Sequence, residues 1–207
     1  MNRLRSTTQR IVWLPVVAIV ILIAVWLMAA GSQNPARADE PQKLYVSSSS
    51  AVTIGGVKYA DEDILELDTS TGQWRLFFDG SELGLAALDI DALEIQPDGN
   101  LLLSVDQNST GIPGIGEVSD ADILRFVPGS PGNYSSGTFS MYVDGSDIGL
   151  STSAEDIDAI ALAGNGDLLS STVGSAKVPN GNGTLTVRDA DMLRLQLTQT
   201  GDNTVGT

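Results

Sequence analysis

Three patterns of hydrophobic and polar positions divide this chain. Near its start, Ile11 to Gly31 run for 21 residues without a charge (IVWLPVVAIVILIAVWLMAAG). A helix of that length spans roughly 30 Å, the thickness of a bilayer core. Asp39 to Lys43 are polar. From Leu44 onward, apolar residues come in runs of four to six between clusters of Gly, Ser, Asn, Pro and Asp. Within these runs side chains alternate. Leu65 and Leu67 share one side, with Ile64 and Glu66 on the other; Leu124 and Phe126, and Leu193 and Leu195, repeat the pattern opposite Arg125 and Arg194. A period of two, bounded by turn formers, predicts short β-strands.

The strands recur in order. Asp120-Ala121-Asp122-Ile123-Leu124-Arg125-Phe126 returns as Asp61-Glu62-Asp63-Ile64-Leu65-Glu66-Leu67 and as Asp189-Ala190-Asp191-Met192-Leu193-Arg194-Leu195. A shorter form occurs at Asp89-Ile90-Asp91-Ala92-Leu93 and at Asp156-Ile157-Asp158-Ala159-Ile160. The main copies are 59 and 69 residues apart, and the difference falls in Gly/Pro/Ser loops, where insertions cost little. Aromatic strands ending in Asp79-Gly80-Ser81 and Asp144-Gly145-Ser146 also match, as do the turns Pro97-Asp98-Gly99-Asn100 and Gly164-Asn165-Gly166-Asp167. Units therefore run 44–100, 101–167 and, in part, 168–207. Each offers about four strands, the content of a propeller blade.

The expected fold is all-β: antiparallel four-stranded repeat units, propeller-like, about two and a half blades, preceded by one N-terminal hydrophobic helix. Two and a half units fall short of the roughly four blades that close a ring. A longer chain, self-association through open strand edges, and an open stack of sheets all remain as resolutions.

Charge places this domain outside the cytoplasm. Arg3, Arg5 and Arg10 precede the apolar run, and a positive flank stays cytoplasmic. Ala36-Arg37-Ala38 fits a cleavage site, so residues 1–38 read either as a signal peptide or as a retained membrane anchor through 11–31, with 39–43 as linker. From Asp39 onward seven basic residues face all 26 acidic ones, a net charge of −19. Such a domain repels nucleic acid and anionic membrane surfaces, and small cations are its natural partners. The absence of Cys and His excludes disulfides, Cys/His zinc sites and Ser-His or Cys nucleophile machinery within the chain.

The candidate chemistry lies in the Asp pairs Asp61/Asp63, Asp89/Asp91, Asp120/Asp122, Asp156/Asp158 and Asp189/Asp191. Alternating Asp on a turn supplies two or three of the hard oxygens that calcium takes, and calcium is the candidate cofactor. The same residues also cap turns by accepting backbone N–H groups, which alone explains their recurrence with the architecture. The alternation places the pairs in the turns that lead into the strands, since burying both carboxylates on an apolar face is expensive. Asp79-Gly80-Ser81 and Asp144-Gly145-Ser146 read as hairpin turns. Trp74, Phe77, Phe78 and Tyr142 read as core or as a sugar-stacking platform. Lys43, Lys58 and Lys177 sit in no catalytic motif.

The hairpin Ile95 to Ser104, with Pro97-Asp98-Gly99-Asn100 between apolar strands, resembles that of NHL-type and gluconolactonase-like propellers. With its repeated Asp89-Ile90-Asp91-Ala92-Leu93 and Phe78-Asp79-Gly80-Ser81, the unit is similar to repeats of exported bacterial proteins without an assigned activity. The resemblance covers about Leu44 to Thr207 and implies a propeller or a propeller fragment. Gluconolactonase-like enzymes hold a divalent metal in a central channel; their ligand positions find no match here. The expected role is an exported or membrane-anchored β-repeat domain for surface interaction or structure, with calcium as its candidate stabilising ion and turn capping as the competing role of the same aspartates. The alternative is a metal-dependent propeller hydrolase or lactonase.

Overall fold

The β-strands that the alternation predicts are present. In a computed structural model, residues 42–86 and 88–207 are described. The basic start, the apolar run with its predicted helix and the processing site lie outside the described residues. Among the described residues no helix is long and apolar enough to cross a membrane.

The chain runs through β1 (Lys43–Val46), a hairpin of β2 (Val52–Ile54) and β3 (Val57–Tyr59), then β4 (Ile64–Asp68) and β5 (Gln73–Phe78). Next come β6 (Ile90–Ile95), β7 (Leu101–Val105), β8 (Ile123–Ser130) and β9 (Asn133–Val143). The last part holds β10 (Ile157–Leu162), β11 (Leu168–Thr172), β12 (Ala176–Pro179), β13 (Thr184–Val187), β14 (Leu193–Leu195), β15 (Leu197–Gln199) and β16 (Val205–Gly206). Three main sheets result, in the orders β1-β4-β5, β6-β7-β8-β9 and β10-β11-β14, with small hairpins β2–β3, β12–β13 and β15–β16. Every pairing within these sheets is antiparallel.

The sheets do not coincide with the sequence units. The short Asp-x-Asp strand that ends one unit opens the next sheet. The tight turn at Pro97–Asn100 pairs Ile95 with Leu101, so β6 belongs with β7. The second sheet has all four strands; the other two have three each.

Two segments expected to be loops are hairpins. Gly55 and Gly56 take φ of 61° and 86° between Val-Thr-Ile and Val-Lys-Tyr. Two successive positive φ values suit the two-residue turn whose twist matches flanking strands. Asp79-Gly80-Ser81 and Asp144-Gly145-Ser146 are not hairpin turns, contrary to expectation. Each ends an outer strand and starts a helical turn, Gly145–Ile148 in the second case. Leu85 and Leu150 close these turns on Gly80 O and Gly145 O at 2.8 Å each, and both leucines are fully buried.

The core lies between sheets. Leu101 pairs with Phe126 and Phe126 with Phe139, while Leu103 pairs with Leu124 and Leu124 with Met141. These rows pack against Ile64, Phe77, Phe78 and Leu85 from the first part of the chain. Phe78 meets Phe126 edge-on at 5.2 Å. On the other side of the second sheet, Ala92, Leu102, Ile123 and Val143 meet Ile157, Ile160, Leu168, Leu193 and Leu195 of the third. The sheets thus stack face to face in chain order; the stack does not close into a ring among the described residues.

Candidate functional site

The Asp pairs separate into two groups. In the main copies the second Asp locks turns. Asp63 accepts the Ala60 N–H at 2.9 Å and the Gly80 N–H at 3.2 Å. Asp122 accepts the Ser119 N–H at 2.7 Å and the Gly145 N–H at 2.8 Å. Asp191 accepts the Arg188 N–H at 2.9 Å. Asp63 and Asp122 are buried, and the raised pKa of each comes first from that burial, opposed by the backbone donors. Both glycines are needed for the close approach: a Cβ on Gly80 would lie 2.2 Å from Glu62 O, and one on Gly145 2.3 Å from Ala121 O. The strands β4, β8 and β14 begin just after these pairs, as expected.

The first Asp of each main pair does less with its side chain. The carbonyl of Asp61 accepts the Ile90 N–H at 3.5 Å, and that of Asp120 accepts the Ile157 N–H at 3.1 Å. Each turn is thereby tied to the first strand of the following sheet. Asp189 and Asp191 lie exposed on their turn.

The short copies behave differently. Asp91 and Asp158 are not in turns: they fall inside β6 and β10, where the register shifts between Ile90 and Ala92 and between Ile157 and Ala159. One extra residue at each bulge lets Ile90 face the first core while Ala92 faces the second. It also brings acids to the start of both strands. Asp91 and Asp156 meet across the junction of the second and third sheets, with Asp106, Asp120 and Asp158 in electrostatic range. Asp89 faces Asp106 and Asp61 and also donates its N–H to the Asp106 carboxylate at 3.0 Å. Asp158 accepts the Ser171 hydroxyl at 2.6 Å.

This seam is short of donors. One carboxylate oxygen each of Asp89, Asp91 and Asp156 is buried without a hydrogen-bond partner. Burial first, then the Asp156 charge, pushes Asp91 up to about 8; burial and Asp106 push Asp89 up to about 6. Asp156 is also raised, again first by burial. Burial and the neighbouring Asp156 thus favour the protonated form of Asp91. The carboxylates stand together without being arranged as a chelate: among the described residues no three Asp or Glu side chains form a metal-binding set. Oxygen donors alone, with no nitrogen or sulfur, suit calcium or magnesium rather than a transition metal.

Of the ten predicted residues, the fold brings Asp91, Asp120, Asp156 and Asp158 together at this seam, sets Asp89 and Asp61 facing one another beside Asp106, and uses Asp63, Asp122 and Asp191 to hold turn N–H groups. Sequence reasoning missed Asp106. It follows Val105 at the end of β7 and has no counterpart in the repeat, where Val173 follows Thr172. It also missed Glu66, which is 2% exposed and accepts from Arg75 at 2.6 and 2.8 Å and from Lys43 at 2.7 Å. The Arg75 guanidinium holds Glu66 down at about 2. Phe77 and Phe78 are core, Tyr142 packs against the second core, and Trp74 is half-buried on an outer face. Lys58 and Lys177 are exposed on β3 and β12.

Compared with known protein families and with curated proteins, the chain matches none.

Proposed function

We propose that residues 39–207 serve outside the cytoplasmic membrane as a structural or surface-interaction module whose stacked sheets are fastened by calcium. The seam between the second and third sheets carries this reading. One oxygen each of Asp91 and Asp156 is buried there without a partner, with Asp106, Asp120 and Asp158 in electrostatic range, and Asp89, likewise unpartnered, faces Asp106 from beside the seam. An unpaired buried carboxylate must take up either a proton or a cation. In an exported setting with millimolar calcium, the cation is available, and its six to eight flexible oxygen ligands can draw on both carboxylates and main-chain carbonyls. Asp91 and Asp156 are the first candidates to hold the ion, with Asp106 in electrostatic range of both; since they do not stand as a chelate, binding would have to draw them together. The ion would supply the positive charge that this part of the chain lacks.

The test is a melting curve of the full chain in calcium, in magnesium and in chelator. Calcium at a hundred times its dissociation constant adds about 2.7 kcal/mol, a rise of roughly 5–10 °C for a domain of this size. Asp91→Asn with Asp156→Asn should abolish the rise. An unchanged midpoint at millimolar calcium rejects the fastening role. Turnover of a lactone or glycoside that chelator removes would instead establish the hydrolase alternative.

A further inference from the structure

The two outermost sheets leave apolar faces partly uncovered, and the repeat shows what such faces do. In the second sheet, the rows Leu101–Phe126–Phe139 and Leu103–Leu124–Met141 face the first sheet and are mostly buried. Their counterparts in the first sheet are Leu44–Leu67–Trp74 and Val46–Leu65–Leu76. These belong to neither core. Leu44 is 49% and Leu76 39% exposed, whereas Leu65 in the middle of the face is 3% exposed and Leu76 lines a depression shared with Val57 and Tyr59 of the β2–β3 hairpin, so the open part of the face lies at Leu44 and Leu76.

The opposite end mirrors this. The second sheet turns Ala92, Leu102, Ser104 and Arg125 toward the third, and Leu102 and Ser104 are fully buried there. Residues of the same types occupy the matching positions of the third sheet: Ala159, Leu169, Ser171 and Arg194. Ala159, Leu169 and Ser171 line, with Ala161 and Met192, a shallow depression of about 70 Å³, and Met192 is 71% exposed. Arg125 pairs with Asp98 in its hairpin turn and Arg194 with Asp167 in the matching turn, so both charges are already met. The third sheet thus repeats on its open side the surface that the second sheet uses to bind a neighbour.

We propose that these two open faces are the halves of one heterologous contact, through which the first sheet of one copy of this chain stacks on the third sheet of another. The occupant is a second copy because the contact already exists inside the chain, made by equivalent residues at both junctions. Each junction joins the row face of one sheet to the alanine–leucine face or its equivalent on the sheet before it. Exposed apolar faces of this kind mark association surfaces. The contact runs face to face rather than through strand edges. A head-to-tail contact closes into a ring or continues as a filament, according to its rotation. Two copies hold six main sheets, within the four to eight that form closed propellers. The proposal does not depend on calcium at the seam, since the faces lie on the outer sides of the stack.

Among the described residues there is no cysteine, and none occurs elsewhere in the sequence. Two differently tagged full-length variants, Leu76→Cys and Ala161→Cys, are therefore co-expressed and treated in membranes or in the exported fraction with a short bis-maleimide. The mixed pair should cross-link several-fold more than either variant alone, and Leu44→Arg added to the first should remove the excess while leaving the melting midpoint unchanged. Equal cross-linking of like with like overturns the proposal, as does a monomer with no mixed product. So does protection of the Leu76→Cys thiol from maleimide in a monomer, which would mean that residues 1–41 of the same chain cover the face. A melting curve of each variant establishes that it is folded before the cross-linking is read.

Discussion

At the scale of single residues, Asp122 and Gly145 act as one device. Asp122 ties its own turn to the backbone of the next, and Gly145 lets that backbone come within hydrogen-bond reach. Gly145→Ala places a Cβ against Ala121 O, and urea unfolding should show a loss of about 1–3 kcal/mol or more. Asp122→Asn turns one acceptor into a donor facing the Ser119 N–H and should cost about 1–3 kcal/mol. Asp91 predicts a pH dependence. Its folded pKa lies above its unfolded one, so its contribution is complete below the ordinary carboxylate range and is lost as pH rises through about 8. In chelator, the melting midpoint should fall from the ordinary carboxylate range up to about pH 8, with Asp89 adding to the fall only up to about 6. Asp91→Asn should flatten most of that decline, and calcium should do the same by occupying the deprotonated seam. Glu66 acts at the other limb: held low by Arg75, it withdraws its support only as pH drops from the ordinary carboxylate range toward about 2.

At the scale of elements, a strand's worth depends on which face has a neighbour. Leu102 on β7 and Leu169 on β11 are repeat equivalents, yet Leu102 is wholly buried between sheets while Leu169 is half-exposed. Leu102→Ala should cost about 2–5 kcal/mol in chemical denaturation, whereas Leu169→Ala in the isolated chain should stay within about 1 kcal/mol. Equal losses would show that Leu169 is covered even without a second copy. The bulges at Asp91 and Asp158 explain why the short copies differ from the main ones. A turn that precedes a strand can hide its carboxylate among backbone donors. A bulge inside a strand has spent its donors on the ladder, so its carboxylate is left without one.

At the scale of the whole molecule, equivalent sheets stacked in one direction leave unlike ends. That polarity follows from the repeat and gives the two open faces different but complementary surfaces. The net charge of −19 beyond Asp39 opposes association, so the mixed cross-link should grow stronger with added salt. The location proposed for the module rests on Arg3, Arg5, Arg10 and the 21 uncharged residues after them. If processing follows Ala38, the exported form begins at Asp39; if the span is retained, the intact chain stays in the membrane fraction.

The β-strands, their alternation and their recurrence were legible because each follows from local chemistry: Leu65 and Leu67, or Leu124 and Phe126, alternate whatever lies beyond them. The turn role of Asp63 and Asp122 was legible for the same reason, since its donors lie within a few residues or in the matching Asp-Gly-Ser. The hairpin of β6 and β7 was legible in Pro97-Asp98-Gly99-Asn100, but that it sets the sheet boundary, so that β6 opens the second sheet and does not close the first, was not, because a repeat has no marked starting point. Nor was the gathering of Asp89, Asp91, Asp106 and Asp156, which sit as far as 67 residues apart in the chain. Five near-identical Asp motifs become two kinds of site because neighbouring sheets, and not neighbouring residues, decide whether a carboxylate meets an N–H group or another carboxylate.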